Sequence, residues 1–145
     1  MENKKVNIGY RIKKIHTTKF SFEEIEKDGE IVIFDSLAIN LNAKLDINKE
    51  ISELSITINS EFTEKESNIH LIKHSAKTVF YFDGLETLLN EENDNFEIPN
   101  NLLVQLYGLA YSHARALMAV ENSRTIYKDK YFLPVIDPKM FIKKQ

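Results

Sequence analysis

A run from Leu102 to Val120, LLVQLYGLAYSHARALMAV, constrains this chain more than any other stretch. Leu102, Leu106, Leu109, His113, Leu117 and Val120 recur at steps of three and four, the period of one helical face. A second stripe holds only small side chains: Gly108, Ser112, Ala116, Ala119 and Ser123. Such a stripe is either a solvated face of low side-chain cost or a surface that lets another backbone approach closely. Leu103, Tyr107, Ala110 and Met118 widen the apolar arc, so little of the circumference is left for water. A helix apolar most of the way round is buried, in a large core or between subunits. A chain of 145 residues is too short for a very large core. The pattern therefore favours a subunit interface on the stripe Gly108, Ser112, Ala116 and Ala119.

Beyond the helix, Tyr127, Tyr131, Phe132, Leu133, Val135 and Ile136 crowd between charges and two prolines, Pro134 and Pro138. Proline excludes helix interior and favours an extended path, so an apolar extended segment is expected here. Asp137 is placed to cap a short terminal helix that opens on Pro138 and runs through Met140 and Phe141.

The first half reads as strands. From Ile8 to Glu24 the chain alternates, but Ile15 is out of phase, which predicts a kink or bulge near it. Lys27-Asp28-Gly29 is a turn, and Ile31 to Phe34 is a short apolar run of undefined type. Leu37 to Ile47 and Leu54 to Phe62 alternate strictly, one face dry and one wet, joined near Asn48-Lys49-Glu50. A fourth strand, from about Ile69 to Phe82, puts Ile72, His74, Ala76, Phe80 and Phe82 on one face and Lys73, Ser75, Lys77, Val79 and Tyr81 on the other. Asp83-Gly84 ends it. Leu85 to Glu97 is acidic, partly helical or loop, with Glu91, Glu92 and Asp94 read as solubilising. Strands first and helices after argue an α+β fold: a four-stranded antiparallel sheet packed against a long helix and a short C-terminal helix. One domain, residues 1–145, is expected.

Charge and chemistry narrow the function. The formal net charge is −3, which offers no general electrostatic case for nucleic acid. No cysteine is present, so disulfides and thiolate metal sites are out. The N-terminus is basic without an apolar core, and no window approaches a membrane span, so a cytoplasmic protein is expected. No P-loop, dinucleotide or nucleophile-elbow motif occurs. His70 and His74 have a metal spacing on a helix but not on a strand. His113, on the apolar helix face, reads as a satisfied interface histidine. No catalytic site, metal or cofactor is expected, and the chain is read as a non-enzyme. The excess lies in apolar residues, with nine Phe and six Tyr. Surplus apolar surface implies subunits, a partner or a groove for apolar chain.

At this point the order of elements and the wording resemble the SecB family of export chaperones over nearly the whole chain. YRIKKIHTTKFSFEE (10–24) is similar to the family's first strand and LAINLNAKLD (37–46) to its second. AYSHARALMAVENSRTIYKDKYFLPVIDPKMF (110–141) is similar to its long helix, crossover and terminal helix. The most specific marks are His113-Ala114-Arg115 and the ending Pro134-Val135 with Phe141. The resemblance implies an ATP-independent holdase that binds unfolded or preprotein polypeptides, without nucleotide, in apolar grooves. It implies a homotetramer, a dimer of dimers built through the long helix. The groove residues it implies are Phe34, Leu37, Ile39 and Leu41, with Tyr131, Phe132 and Leu133 on the crossover. Parity puts Leu37, Ile39 and Leu41 on one side without saying whether that side is core or groove.

The sequence also departs from the family. Export chaperones dock the translocase motor SecA on an acidic sheet surface. Glu23 keeps one acid, but Lys19 and Lys73 stand where acids are implied, and the chain ends in Ile142-Lys143-Lys144-Gln145 without an acidic tail. Reversed charges weaken a steered contact, so SecA is a doubtful partner. The second reading is a dedicated SecB-like chaperone of an antitoxin in a toxin–antitoxin system.

Overall fold

The computed structural model describes residues 9–90 and 95–142. Ile8, Glu91, Glu92, Asp94 and residues 143–145 lie outside them. The alternating runs pair as their parity demands. β4 (Ala38–Asn48) lies antiparallel to β5 (Glu53–Thr63), with Ile39 opposite Phe62, Leu45 opposite Ile56 and Ile47 opposite Leu54. β6 (His70–Asp83) continues the meander on β5, and β1 (Gly9–Phe22) returns to lie beside β6. The order is β1-β6-β5-β4, so β1 and β4 are the edges.

β1 shows why Ile15 is out of phase. The register against β6 shifts between Ile12 and Lys14 and again between Thr17 and Lys19. Each shift inserts one residue and re-phases the alternation. Tyr10, Ile12, Ile15, Thr17, Phe20 and Phe22 thereby stay on the inner face, opposite Phe82, Phe80, Thr78, Ala76, His74 and Ile72. β2 (Glu26–Lys27) and β3 (Glu30–Ile31) form a small hairpin. Its two-residue turn has Asp28 and Gly29 both at positive φ, 55° and 82°, as a primed turn requires. Past β6, a single 3-10 turn (Leu85–Leu88) leads to the short ladder of β7 (Leu89–Asn90) and β8 (Asn95–Phe96).

The long helix, α1 (Asn100–Asn122), lies across the inner face of the sheet. Its buried side chains are Leu106, Tyr107, Ala110, Tyr111, Ala114, Met118 and Asn122. This corrects the phase read from the leucines. Of the face Leu102, Leu106, Leu109, His113, Leu117 and Val120, only Leu106 is buried, and Val120 is 54% exposed. Tyr107, Ala110 and Met118, which in the sequence only widen the arc, lie on the packing face with Tyr111 and Ala114. Ala110 and Ala114 keep the helix close to the sheet, and the Tyr111 hydroxyl donates to the Pro134 carbonyl at 2.6 Å. Arg115 Nε donates to Leu133 O at 3.1 Å, so the extended segment folds back along the helix. The terminal turn forms as expected: Asp137 Oδ1 accepts from the Lys139 amide at 3.0 Å, with Pro138 in the first position.

The core joins Leu54, Ile56, Ile58 and Phe62 of β5 to Ile72, Phe80 and Phe82 of β6 and Met118 of α1. Within it sits His74, whose Nε2 is 3.0 Å from Thr17 Oγ1 and whose Nδ1 has no partner. Burial lowers its pKa from the ordinary 6.5 to about 4. Between those values the unfolded chain binds a proton that the folded chain refuses. Stability should therefore be full above about pH 6.5 and fall as pH drops toward 4, at no more than about 1.4 kcal/mol per pH unit from one group. His16 and His113 are also lowered by burial, His16 further by Lys14 and Lys77, so they act in the same direction. The expected result is a falling melting temperature across that window and a flatter fall in His74→Gln. Equal slopes in both proteins would remove His74 from the acid sensitivity.

Candidate functional site

The two strands of the β4–β5 pair have the same alternation and opposite fates. On β5 the inward side chains Leu54, Ile56 and Ile58 are fully buried. On β4 the inward side chains Leu41, Ala43, Leu45 and Ile47 are only half-buried, and Ile39 is 38% exposed. The helix packs over the middle of the sheet, so the inner face of the β4 edge is roofed along one side only. The result is a half-covered apolar strip along the strand, about 37 Å at about 3.4 Å per residue, which is the candidate groove.

One end of the groove gathers most of the residues the sequence pointed to. Leu37 leads into β4, half-buried. Phe34 is fixed by Tyr131: its amide donates to the Tyr131 hydroxyl at 2.9 Å, and that hydroxyl donates to the Phe34 carbonyl at 2.7 Å. Tyr131 meets Phe62 edge-on, with centroids 6.1 Å apart, and Phe62 pairs with Ile39. Burial raises the Tyr131 pKa, so the hydroxyl stays protonated as a donor at neutral pH. Phe132 stands 55% exposed beside this cluster in sequence. Leu133 differs: at 2% exposure it belongs to the core and supports the wall from behind.

The other end was not legible beforehand. Leu45 and Ile47 face Phe96, Ile98, Leu103 and Ile142 across a concavity of ≈ 630 Å³. Phe96 and Ile98 flank an acidic run and give no periodic signal; only the pairing of β8 with β7 brings them here.

A second apolar surface lies on the far side of α1. Ser112 and Ala116 are exposed and Ala119 half-buried. Gly108 is occupied within the chain, since a Cβ built on it would lie 3.3 Å from Pro138 Cγ. Beside the stripe run the half-buried Leu109 and Leu117 and the exposed Val120. His113 Nδ1 and Thr78 Oγ1 are 2.9 Å apart, and Thr78 is opposite Ile15, so this flank lies next to β1. There Ile12 and Ile15 are 40% and 39% exposed.

Neither surface holds a reactive constellation. Among the described residues no group of three or more His, Asp or Glu is placed to hold a metal ion. His70 and His74 part company on β6: His70 is exposed with Thr63 and Glu61, His74 is buried with Thr17. No described helix is long and apolar enough to cross a membrane.

The architecture is α+β, a four-stranded antiparallel sheet with one long helix, and a solved SecB-like chaperone shares this fold. Among solved structures the chain is similar to the Mycobacterium tuberculosis Rv1957 SecB-like chaperone in complex with a ChAD peptide from the Rv1956 HigA1 antitoxin. The TM-score is 0.53 at 10% sequence identity, over 88% of this chain and 89% of that one. No protein-family model matches the sequence, and no curated protein matches it significantly.

Proposed function

We propose that this chain is an ATP-independent holdase, a non-enzymatic chaperone that binds unfolded or preprotein polypeptide in the groove along β4. The observation that carries the reading is the open inner face of that strand, apolar from Leu37 to Ile47 yet only half-covered. Leu37, Ile39 and Leu41, with Phe34, Tyr131 and Phe132, contact the client, and Leu133 backs them. The free edge of β4 offers unpaired backbone groups to the same extended chain, so strand addition supplies affinity and alternate side chains fill the groove. Copies joined through Ser112, Ala116 and Ala119, with Gly108 seating Pro138 beneath, bring several grooves onto one client. A homotetramer, a dimer of dimers working in the cytoplasm, suits this use.

The second reading is a dedicated chaperone of an antitoxin. It is favoured by the likeness to Rv1957, whose structure is described with an antitoxin peptide bound. Docking to SecA is not proposed, because Lys19 and Lys73 stand exposed on the outer sheet face.

The test is suppression of aggregation. Added in stoichiometric amount without nucleotide, the protein is expected to keep several unrelated unfolded clients in solution, since it binds the unfolded state by mass action. A nucleotide requirement, or equal binding to folded client, would overturn the holdase. Protection of one polypeptide alone would select the dedicated reading.

A further inference from the structure

The face of the sheet turned away from α1 has a charge opposite to that of the chain. β1 carries Arg11, Lys13, Lys14 and Lys19 and no acid; β6 carries Lys73 and Lys77 with Asp83 at its very end. These two strands thus have a net charge of +5 within a protein of −3, and the rest of the chain is correspondingly acidic. Register puts the cations on one side: Lys14 is opposite Val79, His16 opposite Lys77, Lys19 opposite Ser75 and Ser21 opposite Lys73, all with outward parity. Among the described residues Lys14, Lys19, Lys73 and Lys77 have no carboxylate within ion-pair distance. Lys13 alone is spent, on Glu53 at 3.2 Å. The acid on this side is Glu61 of β5, opposite Lys73 in register, lining the same concavity and 3.4 Å from His70. Arg11 lies 4.9 Å over the Tyr81 ring.

Clustered lysines repel one another; the His16 pKa, lowered first by burial, is lowered further by Lys14 and Lys77. The strip ends in a polar concavity of ≈ 730 Å³, flanked by Lys19 and Lys73. Its floor is held by a chain of hydrogen bonds, Ser75 Oγ to Asn59 Oδ1 at 2.6 Å and Asn59 Nδ2 to Asn42 Oδ1 at 2.8 Å.

We infer that this outer face is a second docking surface, separate from the apolar groove, for an extended acidic polypeptide segment lying along β1 and β6. Complementary charge supplies the attraction. Lys73 and Lys77 are four residues apart on one strand, about 13 Å, which matches every second carboxylate of an extended chain that carries acids on alternate residues, all on one side. A second copy does not fit, since two such faces would oppose like charges. A polynucleotide suits it less, because its phosphates would run on past the strip over the acidic remainder.

The test uses the full chain and fluorescence anisotropy with a labelled peptide of about twelve residues alternating Glu and Thr. Companion probes are the same composition in two blocks and an oligothymidylate of equal length. The alternating peptide is expected to bind at about 50 mM salt, more tightly than either companion, and to weaken with added salt. Lys14→Glu with Lys77→Glu, and Lys19→Glu with Lys73→Glu, should each raise Kd about tenfold or more. Lys19→Gln with Lys73→Gln should weaken binding in the same direction but less. Lys128→Glu with Lys130→Glu, the same charge change on an exposed loop outside the strip, should leave Kd within about twofold, as should Ile39→Asp on the other face of the sheet. No binding, equal binding of the block peptide, tighter binding of the oligonucleotide, or equal loss in the loop variant would each overturn the proposal.

Discussion

Ile39→Asp is expected to weaken binding of an unfolded client at least about tenfold while the protein stays folded. Ile39 is on an edge strand, so its backbone pairs with β5 on one side only and tolerates the change. Its side chain is 38% exposed, so the carboxylate reaches water when the groove is empty. A bound client would close over it. Burying a charge without a partner costs several kcal/mol unless the group takes up a proton, and the apolar contact of the isoleucine is lost as well. Leu41→Asp should act in the same direction. Ile56→Asp, on the fully buried neighbour of Leu45, should unfold the chain instead. Titration of labelled unfolded client, with far-ultraviolet dichroism on the same samples, separates the cases. Full affinity in Ile39→Asp would move the client off β4. Unfolding of Ile39→Asp would make the β4 face core, and the groove residues would be misassigned.

The contrast between Ile39 and Ile56 also marks what alternation reveals and what it hides. Period two gives the parity of β4, β5 and β6, and the pairing of Leu45 with Ile56 or His74 with Ser60 agrees with it. It is silent on which strand stands at an edge, and that decides whether an inward leucine is core or groove. The bulges of β1 were visible only as one misplaced isoleucine, since the second, between Thr17 and Lys19, shifts polar residues that carry no phase. On the helix the leucine periodicity misled. Leucine is long enough to cover the flank of a helix, whereas the closest approach to the sheet falls to Ala110 and Ala114, which hydropathy underweights. Tyr111 reads as ambivalent until its hydroxyl finds the Pro134 carbonyl, a contact that requires the extended segment to fold back. The Phe34–Tyr131 clasp links residues 97 apart, beyond any local pattern.

Ala116→Phe is expected to split the proposed assembly and leave the protomer folded. Ala116 is exposed in the protomer, near the middle of α1 and on the side away from the buried arc, so a phenyl ring there meets no part of its own chain. Ala114, two residues away, is fully buried against the sheet, and Ala114→Phe should unfold the protein. If Ala116 meets another copy, the ring overpacks that contact at about 1–3 kcal/mol per site. A two-fold interface repeats the change, so the penalty doubles to about 2–6 kcal/mol, or about thirtyfold to ten-thousandfold in the dissociation constant. Light scattering should show the assembly falling from four copies of the 16.9 kDa chain toward two, with unchanged dichroism. Leu117 and Val120, apolar beside the stripe, extend the same face, so Val120→Glu should act alike. An assembly that survives both changes would leave the stripe in solvent. The open face of α1 and β1 would then have no second copy to cover it, and client binding would rest on a single groove, without the gain from multivalency.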